Sequence, residues 1–141
     1  MLVTFKVNVH SQGGTQNARW LDEIQHGSAA WLNPVTAAAR GIGDGERVRI
    51  ASEIGEIVAL ARVTQAVAPG VVALPTHGGH TEFGRFASGK RAPAGVDDER
   101  LDTQRWWHDA GVNANAIIPK SADPVSGQQC WMDTVVTVSR A

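Results

Sequence analysis

Residues Trp31 to Arg62, WLNPVTAAARGIGDGERVRIASEIGEIVALAR, constrain the fold more than any other stretch of the chain. Asn33 is a good helix N-cap, because its side-chain oxygen can accept a backbone N–H of the first turn. Pro34 follows at the first helical position, where its missing N–H costs nothing. Val35, Ala38, Ala39 and Ile42 recur at i, i+3, i+4 and i+7, which predicts a helix over Pro34–Arg40 with one small apolar face. Gly41 supplies a left-handed stop. Gly43-Asp44-Gly45 then turns the chain into a strand in which Val48 and Ile50 alternate with Arg47 and Arg49. Glu53-Ile54-Gly55 reverses it into a second strand, Glu56 to Val63. A capped helix feeding a β-hairpin is thus written into the middle of the chain.

Strands are predicted on both sides of this unit. Val3, Phe5, Val7 and Val9 alternate with Thr4, Lys6, Asn8 and His10, the pattern of a half-buried strand. A polar loop, HSQGGTQNARW, follows, with one helical turn over Leu21 to Ile24, and a short strand precedes Asn33. Pro69-Gly70 marks a tight turn before a strand at Val71 to Leu74. Asp123-Pro124-Val125-Ser126-Gly127 is a structural turn, in which Asp, Ser and Gly favour turn geometry and Pro124 fixes φ. A closing strand is predicted over Gln129 to Ser139, with Cys130, Met132, Val136 and Val138 on one face and Cys130 as a small buried hydrophobe. Six or seven strands and two short helices, with strands first and last, fit a closed, mostly antiparallel barrel better than an open sheet. No repeat recurs at solenoid periods.

From Thr76 to Ala110 the periodicity vanishes and Gly, Pro and charge dominate. So long a stretch inside one domain is functional or holds a small helix. Asp97 to His108 is the best helical segment, and the adjacent Trp106 and Trp107 suggest a docking surface.

The 141 residues suit one domain, 1–141, with a real core. Net charge is −1, without the basic footprint of a nucleic-acid binder. A single cysteine excludes an internal disulfide framework and a cysteine-cluster metal site. No Cys-x-x-Cys motif is present to carry an iron–sulfur centre. No apolar run reaches membrane-span length, and MLVTFKVNVH has no basic leader region or cleavage motif and reads as a strand. The compartment stays open: cytoplasmic, or carried to the periplasm with a partner.

The chemistry-bearing residues sit in three loops. Gly13-Gly14 with Thr15, Gln16 and Asn17 combines backbone freedom with two side-chain amides and could form an anion nest. A strand-end loop solvated by its own side chains is the plainer reading. His77 and His80 flank Gly78-Gly79. That spacing, without cysteine or a nearby carboxylate, makes a poor metal site, and Gly78-Gly79 could serve only a sharp turn. Asn113 and Asn115 flank Ala114, and in extended backbone their amides point the same way, fit to read a heterocycle edge. An Asx-turn pair is the alternative. No Ser/His/Asp arrangement stands out and no base can be singled out among five histidines, so no autonomous active site is identified.

In order along the chain, HSQGGTQN, WLNPVTAAARGIGDGERVRI, VVALPTHGGH, GVNANAII and DPVSGQQCWMDTVVTV together resemble the C-terminal dinucleotide-binding domain of the molybdopterin oxidoreductases of the dimethyl-sulfoxide-reductase type. The likeness covers nearly the whole chain. Departures are Gly79, where many members carry a bulky aromatic, and the idiosyncratic stretch Thr81–Ala110. The resemblance implies a mainly β fold, a six-stranded double-psi β-barrel with short helices. It implies binding of molybdopterin guanine dinucleotide with molybdenum or tungsten. Ser11, Gly14, Thr15, Gln16, Asn17, His77, Gly78, His80, Asn113 and Asn115 would be the cofactor contacts, converging on one barrel rim. It further implies a part that is non-catalytic alone, a subunit or domain of an oxidoreductase. A larger catalytic chain or further domains would supply the metal ligand and any Fe–S clusters. Double-psi barrels also serve as adaptor modules without cofactor, and fold alone does not choose between the two. An autonomous small enzyme on this barrel, such as a decarboxylase, would need a nucleophile that does not stand out here.

Overall fold

The computed structural model describes residues 1–15, 19–25, 27–76 and 111–141. Gln16, Asn17, His77, Gly78, His80, the helix expected over 97–108 and the Trp106-Trp107 pair lie outside these residues.

Six strands and two α-helices are described: β1 (Leu2–Phe5), α1 (Arg19–Ile24), β2 (Ala30–Leu32), α2 (Pro34–Ala38), β3 (Arg47–Ala51), β4 (Glu56–Val63), β5 (Val72–Pro75) and β6 (Thr137–Arg140). They form one mainly β, mixed six-stranded sheet in the order β1-β5-β2-β4-β3-β6. The ladder is less antiparallel than expected, because β1–β5 and β2–β4 are parallel. The pairs β2–β5, β3–β4 and β3–β6 are antiparallel. At the two edges, Leu2 N–H donates to Thr134 C=O at 2.8 Å, so the chain just before β6 meets β1.

The pairings give the sheet two distinct ends. Phe5 pairs with Pro75 where parallel β1 and β5 both finish. The neighbouring strands β2 and β4 run the other way. The β3–β4 turn, past Ala51↔Glu56, and the start of β6 at Thr137 therefore face the same end as Phe5 and Pro75. This is the loop end. The opposite, turn end carries α2, the Gly43–Gly45 turn and the Pro69-Gly70 turn.

Local bonds pin the turn end. Asn33 caps α2 by accepting Val35 N–H at 2.9 Å and donates from Nδ2 to Val67 C=O at 2.8 Å. The helix stops with Ile42 N–H on Ala37 C=O, Gly41 N–H on Ala38 C=O, and Gly41 at φ +63°. These are the paired bonds of a Schellman stop. Asp44 Oδ1 accepts Val63 N–H at 2.7 Å, and Gly70 N–H donates to the Thr36 hydroxyl at 2.8 Å. Helix α2 ends at Ala38, short of Arg40, and its buried face is not the expected one. Val35 is 66% exposed, Ala38 and Ala39 are exposed, and Ala37 (1%) and Ile42 meet the core. With little more than one turn, no i to i+7 stripe can develop; the Schellman stop turns Ile42 inward instead.

The core combines Leu2, Leu32, Val48, Ile50, Val72 and Leu74 from the strands with Ile117 and Ile118 from the segment after the sheet's long excursion. Two strands are shorter than expected. β1 ends at Phe5, and its deepest side chain is Leu2 rather than a member of the Val3–Val9 set. Phe5 instead packs on Trp31, with ring centroids 4.7 Å apart, and Arg62 lies 4.9 Å over the Trp31 ring. The closing strand begins at Thr137, not Gln129. Upstream, the backbone bonds go elsewhere: Cys130 N–H to Ser121 C=O, and Thr134 C=O to β1. Cys130 is consequently only half-buried, and Met132 is 47% exposed.

The turn before this segment has a titratable anchor. Asp123 Oδ1 accepts Ser126 N–H at 2.7 Å, the Ser126 hydroxyl at 2.8 Å and Val125 N–H at 3.1 Å. Those bonds, Ser126 foremost, hold its carboxyl below the ordinary carboxylate value. A depressed folded-state pKa gives a contribution fully present above the unfolded value and lost as pH falls through the folded one. Acid unfolding curves should therefore fall more steeply for the native chain than for Asp123→Asn. Parallel curves would show that this carboxylate is not linked to folding.

Candidate functional site

The described polar turns lie at the loop end. The first loop leaves β1 after Phe5, and the segment 77–110 leaves β5 after Pro75, from adjacent parallel strands. Thr76 ties the two exits together by donating its hydroxyl to Phe5 C=O at 3.2 Å. The third segment, containing Asn113 and Asn115, reaches the same end. Ala116 C=O lies so close to Gly55, in the β3–β4 turn, that a Cβ built there would meet it at 2.7 Å.

Of the anticipated contacts, Ser11, Gly14 and Thr15 belong to a short 3₁₀ turn and its entry. The turn covers Gln12–Thr15. Gln12 carries φ +52°, a left-handed conformation uncommon outside glycine. Within the turn Gly14 N–H donates to Ser11 C=O at 3.2 Å. Among the described residues, a Cβ added at Gly14 would meet nothing within 4 Å. Thr15 is less free than its sequence suggests. Its hydroxyl accepts Ser11 N–H at 2.9 Å and lies 3.1 Å from His10 Nδ1.

Asn113 and Asn115 depart from the extended arrangement. Asn113 Oδ1 accepts Asn115 N–H at 3.1 Å, capping a 3₁₀ turn at Ala114–Ala116. This is the Asx turn of the alternative reading, so the two side chains do not form an extended-strand pair. The physical reason is Ile117 and Ile118, both buried: the tight turn aims them into the core. Asn115 remains exposed at its surface.

Two features escaped sequence reasoning. His10, read as an outward strand position, is 6% exposed and links Thr15, within the first loop, to the Gln25 carbonyl just past α1. Nothing in the local pattern signals this. The second is an open groove of about 520 Å³ where Ser52, Glu53, Ser121, Cys130, Asp133 and Thr134 come together. Its walls come from segments far apart in sequence. Glu53 and Asp133 make it unfavourable for an anion. Among the described residues, no cluster of three or more His, Cys, Asp or Glu could hold a metal ion. No helix of the described residues is long and apolar enough to cross a membrane.

The family described as "Molydopterin dinucleotide binding domain" matches residues 1–135. The molybdopterin-containing subunit ArrA of the arsenate respiratory reductase of Shewanella sp. (strain ANA-3) is 30% identical over 81% of this chain and 14% of its own. The molybdopterin-containing subunit PhsA of the thiosulfate reductase of Salmonella typhimurium is 28% identical over 96% of this chain and 15% of its own. The chain thus spans about a seventh of the length of such relatives. Among solved structures, acetylene hydratase from Pelobacter acetylenicus shares the fold, with a TM-score of 0.69 and 16% identity over 99% of this chain and 18% of that one.

Proposed function

Because the chain belongs to the molybdopterin dinucleotide-binding domain family of the molybdenum oxidoreductases, we propose that its loop end holds the guanine form of that cofactor, as one part of a much larger enzyme. The observation that carries this is the shared exit of the first loop and the segment after β5 from adjacent parallel strands, tied by Thr76 and Phe5. A flat pterin with a pyrophosphate needs donors and acceptors from several loops aimed at one place, which no single loop supplies. The Gln12 turn is the proposed seat of the pyrophosphate, and no described residue lies within 4 Å of a Cβ added at Gly14. Ser11, Gly14, Thr15, Gln16, Asn17, His77, Gly78, His80 and Asn115 are the proposed contacts, with Asn113 shaping the turn that presents Asn115.

The cofactor would supply the redox-active metal, molybdenum or tungsten. This chain's residues would bind and orient the dinucleotide. The metal ligand, the substrate residues and any Fe–S clusters belong to the larger catalytic chain or domains. The finer fold reading, closure into a double-psi barrel, is supported by the bond from Leu2, in edge strand β1, to Thr134, three residues ahead of edge strand β6.

The test is chemical. The protein assembled with its catalytic remainder is treated with acid, and released nucleotide is identified by chromatography while the metal is read by mass spectrometry. GMP together with molybdenum or tungsten is the expected result. An assembled, folded protein yielding neither pterin nor nucleotide would sink the proposal.

A further inference from the structure

We infer that His10 is a positioning residue, a clasp that gives the first loop its binding shape, an inference that rests on the cofactor reading above. The ring is almost wholly buried, five residues past the end of β1 and next to the Gln12 turn. Its Nε2 lies 2.7 Å from the Gln25 carbonyl oxygen. A carbonyl can only accept, so Nε2 carries the proton. In the neutral ring Nδ1 is then the acceptor, and the Thr15 hydroxyl 3.1 Å away donates to it. With its proton committed, that hydroxyl offers its lone pairs to Ser11 N–H, the bond observed at 2.9 Å. One imidazole thus sets the direction of a hydrogen-bond chain from Gln25 through Thr15 to Ser11.

The clasp explains how Gln12 keeps its left-handed φ. A residue held in a sparsely populated conformation persists only where its surroundings over-determine it. Here the turn is closed twice across its ends, by Ser11 N–H on Thr15 Oγ1 and by Gly14 N–H on Ser11 C=O. Thr15 is in turn anchored to buried His10. Without the clasp Thr15 loses its anchor, and the turn that holds Gln12 at positive φ is closed less firmly. The ring touches no anion itself in this scheme; it acts through Thr15.

Four forms of the full 141-residue chain decide the matter: native, His10→Phe, Thr15→Val and Thr15→Ser. Imidazole ¹⁵N shifts of the native chain should show the proton on Nε2. Backbone order parameters over Ser11–Thr15 should be near ~0.85 in the native chain and below ~0.6 in His10→Phe and Thr15→Val. Thr15→Ser, which keeps the hydroxyl, should restore them. Inorganic pyrophosphate, titrated against the same amides, should bind roughly tenfold more weakly to the two loosened variants. Should His10→Phe fail to fold, Thr15→Val carries the comparison. A turn that stays equally ordered and binds equally well in Thr15→Val, or a proton found on Nδ1, would overturn the clasp. A native turn that loosens as expected in Thr15→Val, yet never responds to pyrophosphate, would instead overturn the anion-binding reading of this loop.

Discussion

Leu74→Ala is expected to lower the unfolding free energy by about 2–5 kcal/mol, among the largest losses any single truncation here should cause. Leu74 is fully buried in β5, a strand whose four residues are all buried. β5 is bonded on one side to β1 and on the other to β2. A cavity there cannot be filled by moving one edge, because both neighbours are held by ladder bonds, so most of the lost contact stays lost. Urea unfolding followed by circular dichroism measures it. Leu60→Ala, on the solvent side of β4, is the control and should stay within about 0.5 kcal/mol of the native chain. Equal, small losses for both would mean that β5 is not the centre of the core.

Gly55→Ala should cost about 1–3 kcal/mol through overpacking. The added methyl would meet Ala116 C=O at 2.7 Å, a backbone atom that cannot swing aside as a side-chain tip can. Either the β3–β4 turn or the Ala114–Ala116 turn must give way, and the second carries Asn115. Gly55→Ala should therefore shift the amide resonances of residues 113–118 as well as lower stability. Gly14→Ala, whose new methyl meets none of the described residues within 4 Å, should leave stability nearly unchanged. If Gly55→Ala is as stable as the native chain and leaves 113–118 undisturbed, the two turns do not touch in solution.

The contrast between legible and hidden parts follows from where each element gets its bonds. The β3–β4 hairpin could be read because its partners are neighbours in sequence and its alternation is enforced: Val48 and Ile50 are buried while Arg47 and Arg49 are exposed. Asn33, Pro34 and Gly41 were equally readable, since capping is local chemistry. The end strands were not. In LVTF both phases offer apolar side chains, and only the distant partner β5 decides that Leu2 faces the core and Phe5 faces Trp31. The segment from Gln129 looked like a strand by composition, but its bonds to Ser121 and Leu2 break the ladder before Thr137. At the loop end, the residue types suited to a polar heterocycle were visible. The burial of His10 and the turn at Asn113 were not, because both arise from packing against Gln25, Ile117 and Gly55.

Of the five strand pairings among the described residues, only β3–β4 joins strands adjacent in the chain; the other four close over intervening strands. The entropy of closing a loop rises with its length, so these four are the costly steps of assembly. Ordering the first loop beside the segment after β5 requires β1 to find a partner seventy residues away, Leu2 opposite Val72. A fragment that kept the helix and hairpin would retain the most recognisable stretch of sequence and none of this juxtaposition. The loop end is a property of the chain's long-range closure, and it exists only while the whole ladder does.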